Sequence, residues 1–220
     1  MNFSWDLSLS ILPLLLKASL VTIGVTTISF ALSLVGGMII LLVRRSSAIA
    51  NSILGFVVEF IRNTPLLVQI LFLYLALPDY GVVLSAFSTG VLALSIHYSA
   101  YISEVYRAGL EAIPRGQWEA ARALNYPIAK MYSRIILPQI VPFVIPAAGN
   151  FFVYMFKDSP LLAAISLVEL VFVAQEIGAQ TFNYLEPMTL VGLIFLALGL
   201  IASAMVRMVE SRVGLKWKRR

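Results

Sequence analysis

Few side chains in this sequence can do covalent chemistry. There is one histidine, His97, and no cysteine, which removes thiolate nucleophiles, thiolate metal sites and disulfides together. No His-Glu-x-x-His run and no Gly-x-x-x-x-Gly-Lys-Ser/Thr loop occurs, and Gly36-Gly37 lies in an apolar run with no lysine after it. The chain therefore has no motif that cradles nucleotide phosphates and no paired histidines for a metal hydrolase. What remains is binding chemistry. His97, Tyr101, Glu104, Asn150, Lys157 and Asp158 are polar groups in or beside apolar segments. Such groups are costly in a bilayer and face a bundle interior or a cavity. Lys157 and Asp158 are adjacent, so they offer one charge of each sign to a zwitterionic solute, or pair internally. For His97 the plainer alternative is a packed ring with one satisfied hydrogen bond.

The elements that must position these groups are read from composition. The chain has 220 residues, 60% hydrophobic and 12% charged, with mean hydropathy +0.92. Soluble domains are nearer half apolar and about a quarter charged. Lipid is the expected solvent, and the length fits one domain over 1–220. Spans of about 20 apolar residues are expected at about 18–43, 63–77, 82–102, 135–156 and 188–206, with a polar connection at 103–134. The first run is too long and lacks the flanks of a cleaved signal. Glu59 and Arg62 are three apart before the second run, so they share a helix face and can pair. Residues 160–180 read as a short re-entrant piece plus an external surface helix carrying Glu169 and Glu176 on one face.

With five alternating spans, all basic residues except Lys17 and Lys157 of the 16 fall on one side. That side is expected to be cytoplasmic, with the N-terminus outside and the C-terminus inside. The net charge of +5 thus reports topology, and nucleic acid is not implied as a partner.

The connection between the third and fourth spans is not linker-like. Gly116 can begin a helix, and Gln117 to Leu124 are good helix formers. Asn125 tolerates a left-handed backbone just past a helix end, and Pro127 prevents continuation. A second helix is expected from Ile128. Ala120, Ala121 and Ala123 leave a surface small enough to sit in another protein's groove.

Here a resemblance becomes specific. Glu119-Ala120-Ala121 followed by Ile136-Leu137-Pro138 resembles the signature loop of the membrane subunits of bacterial ABC importers, with Asn125 where that family usually has glycine. Arg62-Asn63-Thr64-Pro65-Leu66-Leu67-Val68-Gln69, Ser99-Ala100-Tyr101-Ile102-Ser103-Glu104-Val105-Tyr106-Arg107, Ile113 to Glu119, Leu137-Pro138-Gln139 and Lys157-Asp158-Ser159-Pro160-Leu161 are similar to its polar amino acid uptake branch. These matches cover most of residues 60–165. Ile96-His97-Tyr98 and Tyr184-Leu185-Glu186-Pro187 resemble the ectoine and hydroxyectoine permeases within that branch.

The resemblance implies an all-α membrane protein of the type I importer permease fold, with no cofactor of its own and no enzymatic activity. ATP would be bound by a separate dimer of ATP-binding subunits. Gly116, Glu119, Ala120, Ala121, Arg122 and Asn125 would form the coupling element that docks there. The remaining partners implied are a second permease subunit, an extracytoplasmic solute-binding protein and membrane lipid, and the location implied is the bacterial inner membrane. A polar amino acid or ectoine-like zwitterion would be the cargo. The alternative, an ATP-independent channel or secondary carrier, predicts an internal repeat that is not visible, and leaves the helix-corner-helix unexplained.

Overall fold

The computed structural model describes residues 3–218, with side chains through Val213. The end of the expected basic tail, 216–220, lies outside the residues whose side chains are described. The chain is a bundle of long helices joined by short corners. α1 spans Trp5–Arg44, about 60 Å at 1.5 Å per residue. It begins well before the expected residue 18. Ser4 is the reason: its Oγ accepts the Leu7 N–H, and Asp6 lies in the first turn, where a negative charge suits the helix dipole.

The buried stripe of α1 runs Ile11, Leu15, Ala18, Thr22, Val25, Ser29, Ser33, Gly37 and Leu41. Small residues dominate its middle because membrane helices are held by close packing and interhelical hydrogen bonds. A side chain at Gly36 or Gly37 would run into Ser99, Ile102 and the Ser103 backbone of α4. These two glycines therefore set how closely α1 and α4 approach.

α2 (Ala48–Asn63) and α3 (Leu66–Leu71) are broken at Thr64-Pro65, with a bend of 105°. Thr64 is extended (φ −101°, ψ 140°), as a residue before proline prefers. Gln69 staples the break: its Nε2 donates to Ile61 O at 2.8 Å, Thr64 O at 3.2 Å and Thr64 Oγ1 at 2.7 Å. α3 continues through a π turn (Phe72–Ala76) and a 3-10 turn (Leu77–Tyr80) to Gly81, whose φ of 80° ends it.

α4 spans Ala86–Glu111, so its end at residue 111 overruns the expected boundary at 102. The polar residues 103–111 are helix, not connection, because Glu104, Arg107 and Glu111 pair along one face at i,i+3 and i,i+4. α5 (Arg115–Ala123) and α6 (Ile128–Met131) form the corner, and a π turn (Tyr132–Ile136) leads into α7 (Leu137–Asp158). A 3-10 turn (Ser159–Ile165) is followed by α8 (Leu170–Thr181) and α9 (Leu185–Lys218).

Among the described residues, three stretches are long and apolar enough to cross a membrane by themselves, and the bent α2/α3 pair makes a fourth if it is one span. The remaining span expected, 82–102, falls mostly on the part of α4 before Ser103, and α4 is not among those stretches. Its apolarity is lowered by Thr89, Ser95, His97, Tyr98, Ser99 and Ser103, all buried against the rest of the bundle.

Two expectations are corrected. Glu169 is not on an external surface. It is fully buried as the N-cap of α8, where its Oε1 accepts the Phe172 N–H at 2.9 Å and its Oε2 accepts the Thr22 hydroxyl at 3.3 Å. A carboxylate can be buried there because donors meet it from two helices. Glu176 alone is exposed. Glu59 and Arg62 do not pair among the described residues: the Arg62 guanidinium lies over the Tyr101 ring, 5.1 Å from its centre.

Candidate functional site

The corner after α4 is built from its closing hydrogen bonds. Asn125 has φ 51°, the left-handed conformation that its sequence position demands. Its N–H donates to Arg122 O at 2.9 Å, and the Tyr126 N–H donates to Ala121 O at 3.0 Å. This pair of bonds is the Schellman closure of a helix end. α5 begins at Arg115, one residue before Gly116, because Pro114 supplies the extended residue ahead of it.

One face of α5 is anchored. Ala121, expected on the docking surface, is instead buried with Ile113, Met131 and Ile136, because it lies on the face of α5 that packs on the bundle. The Trp118 ring meets Tyr132 edge to face at 5.6 Å, and Gln139 Nε2 donates to Gln117 Oε1 at 3.4 Å. Residues recurring every three to four positions share a face. Gly116, Glu119, Ala120 and Ala123 therefore project on the opposite face, and all four are exposed. The result is a rigid knob with a carboxylate and almost no side-chain bulk. Arg122, also exposed, lies on its flank.

Behind the corner, Glu104 joins helices. Its carboxylate takes Arg44 of α1 at 2.5 Å and Arg107 at 2.7 Å, and Arg44 Nε also donates to Asn51 of α2 at 3.1 Å. Burial pushes the Glu104 carboxyl up, but hydrogen bonds from Arg107 and Arg44 outweigh it and hold the group below its ordinary range.

The other polar candidates divide. His97, Tyr101 and Asp158 come together between α3, α4 and α7. Tyr98 donates its hydroxyl to Asp158 Oδ2 at 2.5 Å, and His97 Nδ1 lies 3.1 Å from Gln69 Oε1. Gln69 Nε2 has three acceptors, so its Oε1 must accept, and His97 Nδ1 carries the hydrogen. In the neutral ring this leaves Nε2 as an acceptor. Tyr101 donates to Arg62 O at 3.1 Å and meets His97 at 5.2 Å and Phe151 at 5.4 Å. The half-buried Asp158 thus lies at the edge of an aromatic wall.

Lys157 does not turn to Asp158. Its Nζ lies 5.6 Å from the Tyr154 ring centre, and it is exposed. Asn150 is exposed one helical turn before Tyr154. Glu104 stands apart, in the network with Arg44 and Arg107.

Sequence reasoning did not single out Tyr98, Gln69 or Arg62 as site residues, although all three lie in the segments that carried the resemblance. It also missed Glu186, which is buried at the start of α9 and accepts the Ser4 N–H at 2.7 Å. Among the described residues no group of three or more metal-ligating side chains converges.

Comparison with known proteins agrees with this architecture. Residues 33–215 match the family described as binding-protein-dependent transport system inner membrane component. A probable amino-acid ABC transporter permease protein of Sinorhizobium fredii is 46% identical over 95% of this chain and 94% of its own length. The arginine transport system permease protein of Bacillus subtilis is 34% identical over 97% and 98%. A crystal structure of an amino acid ABC transporter with histidines superposes with TM-score 0.89 at 33% identity, covering 96% of this chain and all of that one. An inward-facing methionine ABC transporter has TM-score 0.80 at 18% identity over 96% of this chain and 99% of that one, a likeness of fold. With a family match over most of its length, relatives across nearly all of it and the same fold, the chain belongs to the binding-protein-dependent transport system inner membrane component family and is the permease component, not an enzyme, of an ABC importer.

Proposed function

We propose that this permease moves a polar amino acid or a related zwitterion inward across the cytoplasmic membrane, driven by a pair of ATP-binding subunits that dock on α5. A second permease, a copy or a homologue, completes the pathway, and an extracytoplasmic binding protein delivers the solute. The basic residues at the α4–α7 corner support a cytoplasmic position for it, with the N-terminus outside and the C-terminus inside.

The observation that carries this reading is the knob itself. A helix exposing Gly116, Glu119, Ala120 and Ala123, closed by a left-handed Asn125 and anchored through Ala121, has no use as a loop. It fits a groove in a partner, where Glu119 meets a basic group. Because the corner is continuous with α4 and α7, closure of the ATPase dimer rocks both helices as bodies. Arg122 flanks the same docking element.

For the cargo, Asp158 with its aromatic wall offers a site for an ammonium group, and Arg62 or Lys157 offers one for a carboxylate. His97, Tyr101 and Asn150 complete the polar lining. Relatives named for amino acids support this solute class.

The test is ATP-driven uptake in proteoliposomes holding the full complex, using labelled polar amino acids and ectoine, with Glu119→Lys beside the native chain. Loss of ATP-coupled uptake in an assembled mutant complex is expected, and the panel identifies the solute. Normal uptake by Glu119→Lys refutes the docking role of that residue.

A further inference from the structure

At the same end of the bundle, Arg45 and Arg122 line one cleft of about 430 Å³, together with Trp118, Tyr126, Ile128 and Tyr132. The neighbouring arginines are engaged: Arg44 with Glu104 and Asn51, and Arg107 with Glu104 and Glu111. Among the described residues, neither the Arg45 nor the Arg122 side chain has a hydrogen bond or an ion pair. Two unpaired guanidinium groups lining one cleft offer an anion two sets of N–H donors. Their donor geometry matches phosphate oxygens.

The position of the cleft says where that phosphate comes from. Leu42 and Val43, just before Arg44, are 61% and 42% exposed. The lipid-facing surface of α1 therefore ends within one turn of Arg45. Trp and Tyr side chains line the cleft, and these are the residues that sit at headgroup depth. Trp118 and Arg122 of α5 line the cleft, whereas Gly116, Glu119, Ala120 and Ala123 project on the opposite face of that helix.

We propose that this cleft binds the phosphate of an anionic phospholipid headgroup, clamped between Arg45 and Arg122. The coupling corner then rests on the membrane surface as well as on the bundle. The inference rests on the cytoplasmic placement proposed above, since basic clefts on that side meet anionic lipid.

The test uses the full complex with native chain or Arg45→Gln, in vesicles of phosphatidylcholine with or without phosphatidylglycerol. Native mass spectrometry counts the phosphatidylglycerol retained by the complex. The native complex is expected to keep bound phosphatidylglycerol that Arg45→Gln loses. In the anionic vesicles, uptake by Arg45→Gln is expected to fall about fivefold, the size of one basic residue's attraction to an anionic surface. In pure phosphatidylcholine the two chains should transport alike. Equal lipid retention by both chains overturns the site. Inorganic phosphate that raises uptake in pure phosphatidylcholine overturns the lipid source in favour of a soluble anion. A crosslink from Arg45→Cys to the ATP-binding subunit overturns it in favour of an acidic side chain. If Glu119→Lys transports normally while lipid retention still depends on Arg45, the docking reading falls and the lipid site stands.

Discussion

The Tyr98 hydroxyl of α4 donates to the Asp158 carboxylate of α7 at 2.5 Å, so a helix before the α5–α6 corner is hydrogen-bonded to a helix after it. The bond lies well away from the corner, beside the aromatic wall of His97, Tyr101 and Phe151. A solute cation that takes Asp158 has to compete with the tyrosine. In the pathway proposed above, solute binding and helix movement would be linked through this one carboxylate.

Tyr98→Phe removes the donor and keeps the ring. Uptake KM is expected to fall about tenfold, equivalent to about 1.4 kcal/mol, because the solute no longer competes with the hydroxyl, with unchanged assembly on gel filtration. Asp158→Asn, which loses the charge, should abolish saturable uptake. Native uptake kinetics in both variants would remove Asp158 from the pathway.

At the corner, the backbone of Asn125 sets the rule. Asn125→Gly fits φ 51° without strain and should leave coupled uptake near native. Asn125→Val forces a β-branched residue into that region at about 1–2 kcal/mol, so thermal stability in detergent and ATP-coupled uptake should both fall. Equal behaviour of the two variants contradicts the strained corner.

Glu169 caps a buried helix end. Glu169→Ala leaves the Phe172 N–H and the Thr22 hydroxyl without this acceptor, and the expected loss is about 1–3 kcal/mol. Glu169→Gln keeps one carbonyl oxygen and should cost less. Thermal unfolding of the three chains in the same detergent ranks them.

The network at Glu104 has a pH signature. Its carboxyl is held below the ordinary range in the folded chain, so the folded state binds the proton less readily than the unfolded state. Its stabilisation is present above the ordinary carboxylate pKa and is lost as pH falls through the lowered folded value. Melting temperature should drop on acidification in the native chain. Glu104→Gln should start lower at neutral pH and decline less steeply, and parallel curves would sink this assignment.

Much of the molecule is legible in its residues before any coordinates. Apolar runs and the one-sided basic residues imply spans, because a bilayer core provides no water for backbone groups. Asn125 and Pro127 mark a corner, because local backbone preference is a property of a few adjacent residues. The Glu119-Ala120-Ala121 element is equally local. Sequence alone could not place Glu169, which reads as surface until Thr22 of α1, 147 positions away, is found beside it. Nor could it extend α4 through residue 111, since polar residues read as connection until their mutual ion pairs form on a helix. The aromatic wall, the Tyr98–Asp158 bond and the Arg45–Arg122 cleft all join residues far apart in the chain. Helix packing brings them together, and that packing depends on close contacts such as Gly36 against Ser99, which hydropathy does not encode.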